Sequence, residues 1–245
     1  MLDYRVLPAG DTALVVEFGD RIDRAVSARV LSLASRLNKL ELDGVVETVP
    51  TIRSLLVYYE PLTLSTSALR RTIDALTHDL NGHGLDGRSW ELPACYDASL
   101  APDLADVAAR AGLSPGEVIE RHSAVTYHVY MLGFLPGLAY LGDVPAELAL
   151  PRRESPRPRI PAGSIGIASA MTCVYPMETP CGWHLIARSP VPLWDRRRET
   201  GALLAPGDHV RFRPVSLTEY ERLLSMAEAG ALTLEPTHRP LRAVA

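Results

Sequence analysis

The sequence predicts an α+β protein in two domains, a small α+β layer over residues 1–88 and a closed or nearly closed β-barrel over 89–245. Three observations predict it. Over the first 80 residues, short strands interleave with two amphipathic helices, the pattern of helices packed on one face of a sheet. A connection rich in glycine and polar residues, NGHGLDGRS, then interrupts that pattern. From 124 to 213 the chain is a series of short strands broken by Gly and Pro turns, and closing such a series removes exposed strand edges.

The opening YRVLPAGDTALVVEFGD reads as two strands around the turn Pro8-Ala9-Gly10-Asp11, with 13–18 the stronger. A helix follows, because Val26, Val30, Leu33, Leu37 and Leu40 share one face while Arg24, Arg29, Arg36 and Lys39 occupy the rest. Strands are expected at 45–49 and 55–59. A second helix, capped by Ser67, turns Leu69, Ile73, Leu76 and Leu80 inward. In the connection, Gly82, Gly84 and Gly87 match the spacing of a dinucleotide-binding loop. That loop needs a strand before it and a helix after it. Here a helix precedes and Trp90-Glu91-Leu92-Pro93 follows, so the motif is read as a linker, with His78 and His83 as solvated residues.

The second unit opens with a strand at 91–96 and a helix at 102–111 carrying Leu104, Val107, Ala108 and Ala111 inward. Ser114-Pro115-Gly116-Glu117 then has a hydroxyl cap, a proline at the first position and a glutamate at the capping-box position, which starts a helix ending near His122. From Ala124 the period changes to two, with Val125, Tyr127, Val129 and Met131 on one face of a strand. GFLPGLAYLG follows as a tight loop that either plugs the core or lines a pocket. Near the end, Gly207-Asp208 turns into a strand at 209–213. Ser216 with Glu219 caps a last helix that runs to about Ala229.

With 245 residues, 47% of them hydrophobic, the chain can bury a sizeable core. Its net charge of -4 and pI near 6.0 offer no support for a nucleic-acid surface. No apolar run approaches the roughly 20 residues that span a bilayer, and the N-terminus lacks the features of a signal peptide. A cytoplasmic protein without membrane contact is expected. Cys95, Cys173 and Cys181 are odd in number and lack metal-finger spacing, which fits reduced thiols and no metal site.

The richest stretch is 151–195. Pro156, Pro158 and Pro161 fix φ and withhold amide donors, so Arg152, Arg153, Arg157 and Arg159 sit on an extended, stiff segment. Such a cluster can hold a carboxylate or phosphate, or form a solvated, ion-paired rim. Gly163 and Gly166 let another backbone or a ligand approach the next strand. Residues 172–188 then bring hydroxyls, an imidazole, an indole and a guanidinium together as the wall of a site. Cys181 within it reads as an incidental small residue before a nucleophile.

Taken together, GFLPGLAYLG, the Pro/Arg run into RIPAGSIGIA, TCVYP, PCGWHLIARSP, LWD and LLAPGDHVRF resemble the family of KipI, the B-type subunit of 5-oxoprolinase and allophanate hydrolase subunit 1. Gly10-Asp11 and Ser54-Leu55-Leu56-Val57 extend the likeness through most of the chain. Cys181-Gly182-Trp183 replaces a Gly-Gly-Trp run, and Ala187 stands where glycine is common. The resemblance implies that the barrel is cyclophilin-like. It also implies a larger cyclophilin-like partner, the C-type subunit, the pair resembling the carboxyltransferase region of urea carboxylase. In the 5-oxoprolinase version a third, A-type subunit completes an ATP-dependent opening of 5-oxo-L-proline to L-glutamate.

Opening an unstrained lactam requires activating a poor leaving amide, which ATP does by phosphorylating the carbonyl oxygen. The chain has no G-x-x-x-x-G-K-[ST] loop, so ATP is expected on a partner, and no activity is expected from this chain alone. Its share of a pocket for a small amide is expected from Arg159 or Arg188 pairing the substrate carboxylate and His184 donating or relaying a proton. Thr172 and Tyr175 would orient the carbonyl, and Trp183, Phe134 and Tyr140 would exclude water. The plain alternative for His184 is a strand histidine that caps the barrel. Allophanate or urea chemistry is the nearest enzymatic alternative, and a KipI-like inhibitor of a sensor histidine kinase is the non-enzymatic one. A prolyl isomerase is set aside because fold alone does not carry function.

Overall fold

A computed structural model of the chain describes residues 4–78, 80 and 87–237. Gly82, His83 and Gly84 of the connection lie outside the described residues. Contacts divide the chain into two units, Met1–Gly87 and Arg88–Ala245.

In the first unit, β1 (Arg5–Pro8), β2 (Ala13–Glu17), β3 (Val45–Pro50) and β4 (Ser54–Tyr59) form an antiparallel sheet in the order β1-β2-β4-β3. Strand alternation sends Leu14, Val16, Leu55, Val57 and Tyr59 to one face. There they share a core with Val30, Leu33 and Leu37 of α1 (Arg24–Lys39) and with Leu69 and Ile73 of α2 (Thr66–Thr77). The helix periodicity held except at Leu40, which follows the last turn of α1 and is exposed, and the cap of α2 did not hold. Ser65, not Ser67, has the extended backbone a cap needs, and its hydroxyl accepts from the Ala68 amide at 3.3 Å. Ser67 is already inside the first turn.

The second unit is built on a closed barrel. Its strands are β5 (Ser89–Cys95), β6 (Tyr127–Leu132), β7 (Ala139–Gly142), β9 (Ser164–Ala168), β10 (Met171–Val174), β12 (His184–Arg188) and β13 (His209–Val215). They pair in the order β10-β7-β6-β13-β5-β12-β9, and β9 returns to β10. Only β13 and β5 run parallel among these pairs. A separate ribbon joins β8 (Arg157–Ile160) to β11 (Thr179–Cys181). Helices α3 (Leu104–Ala111), α4 (Pro115–Ala124) and α5 (Leu217–Glu228) pack on β12, β13 and β5 respectively.

The α+β class and the closed barrel are as expected. Two local readings are corrected. The period-two strand begins at Tyr127 rather than Ala124, which still belongs to α4, and Tyr127 to Tyr130 are all buried. Both faces of that strand are covered, so alternation has no polar side to mark it. The expected loop GFLPGLAYLG closes a hairpin, with its second half forming β7.

Glycine resolves one close approach. Gly163 has φ +80°, and a Cβ there would lie 2.2 Å from the Ser189 carbonyl oxygen, so backbone meets backbone at this position.

Candidate functional site

Alternation along β10 sets up the site. Val174 faces the barrel core, and Thr172 on the same side bonds to buried His122. Cys173 and, just beyond the strand, Tyr175 therefore face the other way, into a cavity of about 180 Å³. Its remaining walls are Phe134 and Leu138 from the β6–β7 turn, Tyr140 from β7, Arg152, and the segment Pro180, Cys181, Gly182 and Trp183. Three rings define its shape. Tyr140 and Tyr175 each meet Trp183 edge to face, with centroids 6.0 and 6.5 Å apart. Phe134, with φ +70° and 68% exposed, stands at the rim.

The polar groups on these walls are mostly neutral. The Cys181 thiol donates to the Tyr175 hydroxyl at 3.1 Å and accepts from the Trp183 amide at 3.2 Å. Burial, with Cys173 alongside, pushes the Tyr175 phenol far up, and burial raises Tyr140 as well. Burial also drives the Cys173 thiol up, so it is a poor nucleophile at neutral pH. Arg152 is the single cation among the described lining residues, its guanidinium carbon 5.9 Å from the Trp183 ring centroid. Among the described residues, no carboxylate or imidazole lines the cavity. The site can orient a small planar molecule and hold an anion, but it offers no general base.

The structure brings Tyr175, Trp183, Phe134 and Tyr140 together as expected. The other four expected residues do not line the cavity. Thr172 points into the barrel, where its hydroxyl donates to the Gly166 carbonyl at 3.0 Å and meets His122 Nε2 at 3.2 Å. His184 is 1% exposed, its Nε2 donating to the Pro151 carbonyl at 2.9 Å and its Nδ1 buried without a partner. Arg159 lies on the β8 ribbon and is held by Glu178 at 2.6 Å. Arg188 donates to the Ala162 carbonyl at 2.8 Å.

Sequence reasoning did not single out Arg152 from its cluster or Leu138 from its loop, missed Cys173, Pro180 and Gly182, and discounted Cys181. Parity along β10 would have exchanged Thr172 for Cys173 once either was placed. The cavity does not fit a nucleotide: its volume is below the roughly 300 Å³ of a typical ligand pocket. It also carries one cation, and Lys39, the only lysine in the sequence, lies on α1 in the other unit.

Asp103 braces the rim from below. It is nearly buried and accepts from Arg153 at 3.0 Å, from Arg157 at 2.8 and 2.6 Å, and from the Leu185 amide at 2.7 Å. Burial opposes its charge, but the Arg157 and Leu185 donors outweigh that and hold the carboxyl below the usual range. The proline-arginine segment is thus tied to α3 and β12 rather than free in solvent.

Comparison with known proteins agrees with this architecture. Residues 4–204 match the family described as carboxyltransferase domain, subdomain C and D. The B-type subunit of the Bacillus subtilis 5-oxoprolinase is 37% identical over 89% of this chain and 95% of its own length. The crystal structure of TTHA0988 superposes with a TM-score of 0.75 at 37% identity, covering 83% of this chain but only 40% of that one. This chain therefore spans about two fifths of that protein. The urea amidolyase of K. lactis shares the fold alone, with a TM-score of 0.79 at 20% identity over 96% of this chain and 16% of that enzyme. The barrel is accordingly cyclophilin-like, and the chain belongs to the carboxyltransferase subdomain C and D family, with B-type subunits of 5-oxoprolinase among its relatives.

Proposed function

We propose that the protein is the B-type subunit of an ATP-dependent 5-oxoprolinase, a complex that opens 5-oxo-L-proline to L-glutamate, and that the cavity is its share of a substrate site completed by a larger partner. The observation that carries this reading is a small aromatic cavity with one cation and no base. Such a site binds and orients, and it needs another chain for proton transfer. The 37% identity to a B-type 5-oxoprolinase subunit over nearly its whole length supports the substrate class.

In this reading Trp183, Tyr140 and Phe134 enclose the lactam ring and exclude water, while the protonated Tyr175 hydroxyl is placed to orient its carbonyl. ATP, which activates the lactam carbonyl, is held by a partner, either the A-type or the C-type subunit, since these walls do not fit it. The two units are two domains, the barrel carrying the cavity. No activity is expected from the isolated chain, which works as a soluble protein of the cytoplasm.

The test is ATP-dependent glutamate release from 5-oxo-L-proline by the chain reconstituted with its larger partner and the third subunit, each omitted in turn. Activity that requires all components establishes the assignment. A folded, assembled complex inert toward 5-oxo-L-proline overturns it in favour of urea or allophanate chemistry, or of kinase inhibition.

A further inference from the structure

Of the four arginines between 152 and 159, three are engaged by carboxylates. Arg153 and Arg157 share Asp103, and Arg159 pairs with Glu178. Arg152 has no ion pair or hydrogen bond among the described residues, and its guanidinium lies against the Trp183 ring at the cavity. Two carboxylates thus engage three of the four guanidinium groups, and the fourth, exposed at an aromatic cavity, is left to meet an anion.

The backbone around Arg152 is held on both sides. The carbonyl of Pro151 accepts from His184 Nε2 at 2.9 Å, and the amide of Arg153 donates to the Gly182 carbonyl at 2.8 Å. Asp103 then ties the side chains of Arg153 and Arg157 to the Leu185 amide. Residues 151 and 153 are thus pinned to the chain on either side of Trp183. The backbone at Arg152 is thereby fixed beside the indole, and the side chain alone adjusts to a ligand.

We infer that Arg152 is the specificity-determining residue of the cavity, pairing the carboxylate of a small cyclic amide acid, and that His184 is a positioning residue that fixes it there. This rests on the reading of the cavity as the substrate site. Size and chemistry agree. About 180 Å³ admits a five-membered ring with one carboxylate, the flat walls suit a planar lactam, and the planar guanidinium fork matches a carboxylate bidentately.

The test compares 5-oxo-L-proline with 2-pyrrolidinone, the same ring without its carboxylate. In the reconstituted complex, Arg152→Gln raises KM for 5-oxo-L-proline by about 10- to 100-fold, as expected for a lost charge-assisted pair. It leaves kcat within about threefold and the Ki of 2-pyrrolidinone unchanged, and Arg152→Lys recovers part of the loss. His184→Leu shows the same KM shift confined to the carboxylate-bearing ligand. His184→Gln, whose amide can still donate to Pro151, restores it. A merely structural role would weaken both ligands together. An Arg152→Gln complex with unchanged KM overturns the proposal while leaving the functional assignment intact.

If the wild-type complex does not act on 5-oxo-L-proline, the functional assignment fails, and binding decides the inference. The Trp183 indole resonance of the full chain, identified by its loss in Trp183→Phe, is followed while each ligand is added. A shift that requires the carboxylate and is absent in Arg152→Gln upholds the carboxylate site, and no such shift in the wild type rejects it.

Discussion

Acidification below pH 6.5 is expected to weaken the barrel through one side chain, His122. The ring is fully buried and stacks on Phe212 with centroids 4.8 Å apart. Its Nδ1 meets the Tyr96 hydroxyl at 2.7 Å and its Nε2 meets Thr172 Oγ1 at 3.2 Å. Because Thr172 donates its own proton to the Gly166 carbonyl, its oxygen must accept from His122 Nε2–H. That leaves Nδ1 to accept from Tyr96, so the network is satisfied by the neutral ring and has no place for a second proton. Burial accordingly lowers the pKa of His122 to about 3.

A histidine with a depressed folded pKa keeps its full stability contribution above its unfolded value, near 6.5, and loses it as pH falls toward the folded value. Between those limits the unfolded chain binds one more proton, so the slope is about 1.4 kcal/mol per pH unit, or about 2 kcal/mol lost by pH 5. All three tryptophans, Trp90, Trp183 and Trp194, lie in the barrel unit, so their fluorescence reports its urea unfolding. The wild type is expected to lose about 2 kcal/mol more than His122→Gln between pH 7.5 and pH 5. Parallel losses in the two proteins would refute the argument. So would a His122 ring resonance that titrates near pH 6.5 in the folded wild type.

The remaining expectations concern the cavity walls and their brace. Asp103→Asn removes the shared carboxylate of Arg153 and Arg157, and is expected to lower stability by about 3 kcal/mol in urea unfolding. Gly166→Ala would place a Cβ 3.2 Å from both Trp183 Cβ and Tyr175 Cε2. It is expected to cost about 1 to 3 kcal/mol and to raise KM in the complex by displacing those rings. Cys173, buried and with its thiol pushed up, should escape iodoacetamide at pH 8 in the folded protein and react on unfolding, as read by peptide mass.

What the sequence disclosed and what it concealed follow from how each signal arises. The helices of the first unit were legible because one face is wet: Arg24, Arg36 and Lys39 stand opposite Val30, Leu33 and Leu37, and the period shows. The capping box at Ser114 was legible because it is local chemistry between residues three apart. The pairing of strands into a ring depends on distant partners such as β13 and β5, more than a hundred residues apart, and only the density of turns hinted at closure.

The stretch singled out in the sequence contributes part of the cavity lining, but which of its residues face the cavity was not legible. In β10 every residue from Met171 to Val174 is buried, and in β12 the same holds from His184 to Ala187. A strand covered on both faces carries no polar alternation to say which side meets the cavity. Chemical appeal then favoured Thr172, whose neighbour Cys173 lines the cavity, and added His184 to its neighbour Trp183, which alone of the two lines it. The arginines failed for a different reason. Nothing local distinguishes Arg152 from Arg153, Arg157 or Arg159; the difference is made by Asp103 and Glu178, 50 and 19 residues from their partners Arg153 and Arg159. A charge's role is set by whether the fold brings it a counter-ion. In this segment Arg152 is the arginine to which the fold, among the described residues, brings no counter-ion.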